Sequence, residues 1–293
     1  MRLGELSRSV SADLAIARRR FTHDPVTPRL EQLTVAAHGA ITGTGRRRLS
    51  VRAFFSRRYW QLIAERPRLV VASVVLLVAP AVLAAIWGMR EPASAAGLVP
   101  EEFRSVAGPA TAGREVLAPD QTAQFAATLF THNITVALTA FALGITLTLG
   151  TAFILINNGV LLGALAGISI DAGRTGWFVD LIAAHGVLEL SCVIVASAAG
   201  LRIGMAVIDP GNQPRAERLR EEAVNGVMIV LGTMPWLVVA GVVESVVTAA
   251  LPGPLAGLAF GVVLGGMFWA LVIWRGRSAT PRRDLTTVPV VSP

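Results

Sequence analysis

Apolar residues in this chain collect into long runs, and arginine-rich stretches separate them. The first run, Leu69–Met89, is long enough to cross a bilayer, with Pro80 as an expected kink and Trp87 near the far interface. Asn133–Ala172 is 40 residues long and carries no charge until Asp171. One straight helix of that length would measure about 60 Å, twice the hydrocarbon thickness, so the segment must turn. Asn157-Asn158-Gly159 supplies the turn chemistry, which leaves a short return limb that is either a span or a re-entrant hairpin. Further runs at Leu181–Leu201, Val224–Ala249 and Leu255–Trp274 complete the series. Five spans would place two arginine-rich segments outside, whereas six place all of them in the cytoplasm, so the positive-inside rule selects six.

The expected fold is therefore all-α, a polytopic transmembrane helix bundle of six spans. Residues 1–68 form a basic, helical cytoplasmic arm, 69–274 the bundle and 275–293 a basic disordered tail. Two short helices are expected in the arm, one starting at the N-cap Ser11 and one at Thr27-Pro28. Next, Phe54, Phe55, Tyr59, Trp60 and Ile63 alternate with Arg52, Arg57, Arg58 and Arg66. That mixture suits an amphipathic interfacial helix whose arginines reach lipid headgroups, with an ordinary packed cytoplasmic helix as the alternative. Residues 90–132, with three arginines against five acids, form the outer loop, helical from Gln121; residues 202–222 form a cytoplasmic loop.

Composition agrees with this pattern. Of 293 residues, 53% are hydrophobic and only 15% charged, against about 25% in soluble domains. All 26 basic residues are arginine, and 14 of them lie in the first 68 residues against five acids. A basic arm beside a span indicates topology and attraction to anionic membrane lipids, and no nucleic acid partner is expected. No secretory signal precedes the run at Leu69, so both termini are expected to be cytoplasmic and the protein a multi-pass cell-membrane protein. Cys192 is the only cysteine, which excludes an intrachain disulfide and suits a small buried hydrophobe.

Chemistry can reside only where polar groups enter the runs. His185 and Glu189 lie four residues apart, on one helix face, and Arg202 ends the same segment. Glu244 is the only charged residue of its run, and Asn157 and Asn158 mark the expected turn. Ionisable groups at membrane depth are costly and turn inward toward partners, so His185, Glu189 and Glu244 are expected to converge, with Asn157 and Asn158 capping nearby. Three readings fit such a cluster: a structural polar lock, a proton or substrate relay of a transporter, or a metal or catalytic site. In the last, His185, Glu189 and Glu244 are the candidate ligands. The chain has no HExxH, P-loop or GxGxxG motif, and no cofactor is implied. His132 and Asn133 read as a helix-start cap, with a part in the polar site as the alternative, and His23 and His38 as arm residues. Gly159, Gly163 and Gly167 recur every four residues, and Gly200 and Gly204 repeat the spacing; both sets indicate close helix packing.

Three stretches, taken in order, carry a resemblance: "HNITVALTAFALGITLTLGTAFILINNGVLLGAL", "AHGVLELSCVIVASAAGLRIGMAVIDPG" and "WLVVAGVVESVV". Together they resemble the stage II sporulation protein M family of bacterial and archaeal integral membrane proteins, over about Phe125–Val247. The most specific parts are His185-Gly-x-x-Glu189 and Gly200-Leu-Arg202-x-Gly204. The resemblance implies a membrane architecture and no catalytic residues. It also implies partners: the namesake works with peptidoglycan-degrading enzymes of the envelope, and relatives with a basic arm accompany an RDD-type membrane protein. The expected function is a non-enzymatic scaffold or subunit of a cell-envelope assembly, self-association included. A transporter or channel using the His/Glu/Glu site is the alternative, and an intramembrane metalloenzyme the third.

Overall fold

The apolar runs become helices. In the computed structural model, residues 13–17, 19, 31, 34, 50–100, 103, 119–176, 178–179, 186–250 and 254–277 are described; of 119–123, 125–126, 243–250 and 254–257 only the backbone is. The chain divides into two compact units, Met1–Ala53 and Phe54–Pro293. In the first, residues 13–17, 19, 31, 34 and 51–53 are helical. The helix starts expected at Ser11 and Thr27, and most of the expected tail, fall outside the described residues.

The second unit opens with a π-helical turn, Phe54–Arg58, and a short helix α1, Tyr59–Ala64. It continues through α2 (Pro67–Arg90), α3 (Pro92–Ala96), α4 (Pro119–Ala142), α5 (Leu149–Asp171), α6 (Gly186–Ile208), α7 (Arg215–Ala250) and α8 (Pro254–Gly276). No strand occurs among the described residues. Six of these helices, α2 and α4–α8, are long and apolar enough to cross a membrane. The chain is an all-α polytopic bundle.

The turn in the 40-residue uncharged run lies elsewhere than expected. Helix α5 passes without interruption through Asn157-Asn158-Gly159, and the chain reverses ten residues earlier, after the 3₁₀ turn Leu143–Ile145. Leu147 and Thr148 carry the reversal at φ of 56° and 72°. Neither is a residue that favours this left-handed region, which costs roughly 1–2 kcal/mol per residue for L side chains. Tertiary contact holds them there. The hairpin tip rests on α6, where a Cβ on Gly200 would come within 2.6 Å of the Ala140 carbonyl and one on Gly204 within 2.8 Å of the Gly144 carbonyl. The earlier turn gives α5 a full 23 residues, so the return limb is a complete span rather than a re-entrant hairpin.

Helix α6 is the centre. Of its membrane-length window 83% is buried, against 17% for α2 and 22% for α8, and it touches all five other spans. At the periphery, Val71, Val75, Val78, Val82 and Ile86 form one exposed stripe on α2 at helical spacing. In water such a surface would be an aggregation patch; against acyl chains it is solvated. Helices α2 and α5 pair backbone to backbone. A Cβ on Gly159, Gly163 or Gly167 would collide with the carbonyls of Leu77, Ala81 and Ala85 respectively, so the glycine ladder is a close-approach seam.

The aromatic segment ahead of α2 belongs to the bundle. Tyr59, Trp60, Leu62 and Ile63 are buried in the main core. The Trp60 ring meets Trp236 of α7 at 5.6 Å and Phe268 of α8 at 5.7 Å, both edge-on. Such pairs contribute about 0.5–1.5 kcal/mol each beyond their buried area. The sole tyrosine, Tyr59, bonds Thr233 Oγ1 at 3.0 Å. Because Thr233 gives its own proton to the Ile229 carbonyl, the phenol is the donor.

Candidate functional site

Two polar clusters lie on α6, about 20 Å apart by helical rise, one around Glu189 and one around Arg202. The second is the larger. Gly200 and Gly204 share one face of α6 and receive the α4–α5 hairpin. Arg202, two residues from each, points to the opposite side, toward α1 and α7. Its guanidinium, only 4% exposed, donates from Nε to Glu222 Oε2 at 2.7 Å, from Nη1 to the Leu62 carbonyl at 2.6 Å and from Nη2 to Glu65 Oε2 at 3.3 Å. Leu62 lies in the last turn of α1, where helix carbonyls lack internal partners, so Arg202 caps that helix from outside.

Glu222 is as buried as Arg202, and its Oε1 accepts from Arg66 at 2.9 Å and from Arg218 at 2.6 Å. Arg58 extends the network to Glu65 at 2.9 Å and to Asn225 Oδ1 at 3.3 Å. The residues come from the π-turn, the α1–α2 junction, α6 and the first turns of α7, and they join these four elements at one end of the bundle. A buried carboxylate would be costly alone; three guanidinium groups around it make the burial tolerable.

Around the other cluster, Glu189 is fully buried and its Oε2 accepts from Asn133 Nδ2 of α4 at 2.5 Å. Glu189 Oε1 has no partner among the described residues. Next to Asn133, His132 Nε2 lies 3.2 Å from Asn158 Oδ1 of α5, and its ring meets Phe103 edge-on at 5.3 Å. Two residues beyond Glu189, on the other side of α6, Ser191 accepts from Trp269 Nε1 of α8 at 2.9 Å. These contacts tie α6 to α4 and α8, and α4 to α5.

Of the candidates read from sequence, Glu189 and Asn158 face the interior, each bonded to a residue of α4. Asn157 is exposed and bonds back to the Phe153 carbonyl of its own helix, so it takes no part in a turn or in the cluster. His185 lies outside the described residues, and Glu244 is on α7 with only its backbone described. Among the described residues no group of three His, Cys, Asp or Glu could hold a metal ion. His132 and Asn133 lie well inside α4 rather than capping its start, because the helix begins at Pro119. Of the arginines assigned to headgroups, Arg58 and Arg66 are engaged with carboxylates of the protein, while Arg52 and Arg57 are exposed.

Sequence reasoning missed Glu222, Glu65 and Asn225 as site residues, and gave Asn133 a part in the site only as the alternative to a helix cap. Glu222 was hidden in a segment of four arginines and four acids, where net charge singles out none of them. Its signal was the i, i+4 spacing from Arg218 immediately before an apolar run. Asn133, at the first position of an uncharged run, carried the signal of an amide buried in an apolar helix.

A family model described as stage II sporulation protein M matches residues 72–249. The matched stretch takes in Asn133, Asn158, Glu189, Arg202 and Glu222 but stops short of α1, Glu65 and Arg66. No curated protein and no solved structure matches the chain.

Proposed function

Because the chain belongs to the stage II sporulation protein M family, we propose that this multi-pass membrane protein is a non-enzymatic scaffold or subunit of a cell-envelope assembly. Both termini and the Arg202–Glu222 end of the bundle lie in the cytoplasm in this reading, since the arginine-rich segments collect there. The observation that carries the proposal is the use made of the buried charges. Arg202 and Glu222 are both bonded to neighbouring helices of the same chain, which favours holding the helices over acting on a substrate. Partners by resemblance are an RDD-type membrane protein or envelope enzymes.

The test is flux. Full-length protein in proteoliposomes loaded with a pH-sensitive dye is expected to pass protons and monovalent cations no faster than empty vesicles. Asn133→Leu, which removes the donor to Glu189, is expected to lower folded yield and leave flux unchanged at background. Saturable flux that Glu189→Gln abolishes while the protein stays folded would overturn the scaffold. That outcome would establish the transporter reading, which Glu189 Oε1, without a partner among the described residues, favours.

A further inference from the structure

The π-helical turn Phe54–Arg58 and the end of α8 meet in one surface patch. Two carbonyls of the widened turn are taken by side chains. That of Phe55 accepts from Trp60 Nε1 at 2.9 Å, and that of Ser56 accepts from Arg275 Nη1 at 2.8 Å. A Cβ on Gly276 would collide with the Ala64 Cβ, so the end of α8 is pressed against α1 as well. These contacts hold Arg57, next to Ser56, and Trp274, next to Arg275, within one arginine side chain's reach of each other.

The patch is both basic and aromatic. Arg57 and Arg277 are exposed and have no partner among the described residues. Arg275 spends Nη1 on Ser56 and keeps its other donors, and its guanidinium stands 5.6 Å from the centre of the Trp274 ring. Glu65, the acid next to Ala64, is held by Arg58 and Arg202 and leaves these charges unopposed. Beside them Trp274 is 69% exposed. Depth selects the occupant. The apolar stretch Leu258–Gly276 is long enough to cross a membrane, and Trp274 and Arg275 close it, at the level of lipid glycerol and phosphate groups. Toward the bilayer centre, Met267, Ala270 and Trp274 share one exposed strip of α8 at the i, i+3, i+7 spacing of a helix face. We infer that the patch binds the headgroup of an anionic phospholipid, with its phosphate among Arg57, Arg275 and Arg277, its glycerol on Trp274 and its acyl chains along that strip in the open bilayer. Planar guanidinium donors suit phosphate oxygens, and a soluble anion would leave the indole and the strip unused. This inference is independent of the scaffold reading and holds whether or not the protein moves a solute.

The experiment reads the lipid beside Trp274. The full chain is placed in phosphatidylcholine bilayers that contain either phosphatidylglycerol or phosphatidylcholine with brominated acyl chains, which quench tryptophan on contact. The signal of Trp274 is the part of the fluorescence lost in Trp274→Phe. Phosphatidylglycerol is expected to associate there about fivefold more tightly than phosphatidylcholine, the gain expected of one arginine near a membrane surface. Arg57→Gln/Arg277→Gln breaks no hydrogen bond or ion pair among the described residues. It is expected to lower the ratio below about twofold, and Arg275→Gln to lower it as well. Arg90→Gln, at the opposite end of α2 from Pro67, is expected to leave the ratio unchanged. Equal association of the two lipids would overturn the inference, as would an undiminished ratio in Arg57→Gln/Arg277→Gln. An equal fall in Arg90→Gln would reduce the effect to general charge attraction and also refute the site. Glycerol phosphate that abolishes the preference at the concentration of the lipid would refute the lipid assignment. Should Arg275→Gln fail to fold, Arg57→Gln/Arg277→Gln decides alone.

Discussion

Glu222→Gln isolates the energetics of the Arg202 cluster, because its three arginine partners differ in burial. Arg66 and Arg218 are 44% and 20% exposed, so water can take over much of what Glu222 gives them. Arg202, at 4%, keeps only the Leu62 carbonyl and a 3.3 Å contact with the half-exposed Glu65. The loss is therefore concentrated on one guanidinium. Removing one member of a buried pair typically costs about 3–5 kcal/mol, whereas exposed pairs contribute about 0–1 kcal/mol. We expect Glu222→Gln to destabilise by about 3 kcal/mol, the low end of that range, since Glu65 remains. The reverse change, Arg202→Met, leaves Glu222 with two arginines and should cost less, about 1–2 kcal/mol for lost charged hydrogen bonds. The double variant Arg202→Met/Glu222→Gln orphans no buried charge: Arg58 keeps Glu65, Arg218 keeps Glu221, and Arg66 is at the surface. It should therefore be more stable than Glu222→Gln alone. The assay is the unfolding midpoint in detergent against SDS, read by tryptophan fluorescence for the four proteins of the cycle. Additive losses in the double variant, or a Glu222→Gln loss no larger than that of Arg202→Met, would refute the reasoning.

Two further predictions rest on other parts of the bundle. Tyr59 is the sole tyrosine, and burial pushes its phenol well above the usual value near 10. A raised folded value means that stability is unaffected by Tyr59 below pH 10 and falls above it, where the unfolded chain ionises first; tyrosinate absorbance at 295 nm should thus appear only together with unfolding, and its appearance at pH 10–11 in folded protein would contradict the burial. On the α2–α5 seam, Gly163→Val places a side chain against the Ala81 carbonyl, which is expected to cost about 1–3 kcal/mol or more as overpacking; a measured loss in folded yield smaller than that of Val at the exposed Gly266 site would show that the helices separate freely.

Much of the fold was legible because the bilayer imposes length and polarity on each span. The six helices and the glycine seam followed from run length, charge bias and spacing. What was illegible depended on contacts between distant segments. Asn-Gly is strong turn chemistry in water, yet Asn158 is used inside a helix to bond His132, and Asn157 bonds its own backbone. The true reversal at Leu147 and Thr148 has no local signal, because α6 supplies the support through its glycines. Aromatic residues among arginines read as an interfacial helix, but Tyr59 and Trp60 are buried against α7 and α8, and Arg66 and Arg58 meet Glu222 and Asn225 far along the sequence. Arg202 and Glu189 were visible as costly residues; their partners were not, because a buried charge reveals only that some partner exists.

The central position of α6 also bears on how the molecule can be built. It follows three spans in the order of synthesis, and the acid that answers its arginine arrives 20 residues later, at the head of the next helix. Until that helix emerges from the ribosome, Arg202 has no buried counter-ion and must stay at the water boundary, held there by its own hydration. Docking of the fourth helix is thereby coupled to delivery of the fifth, and the core closes only once the following segment has been made.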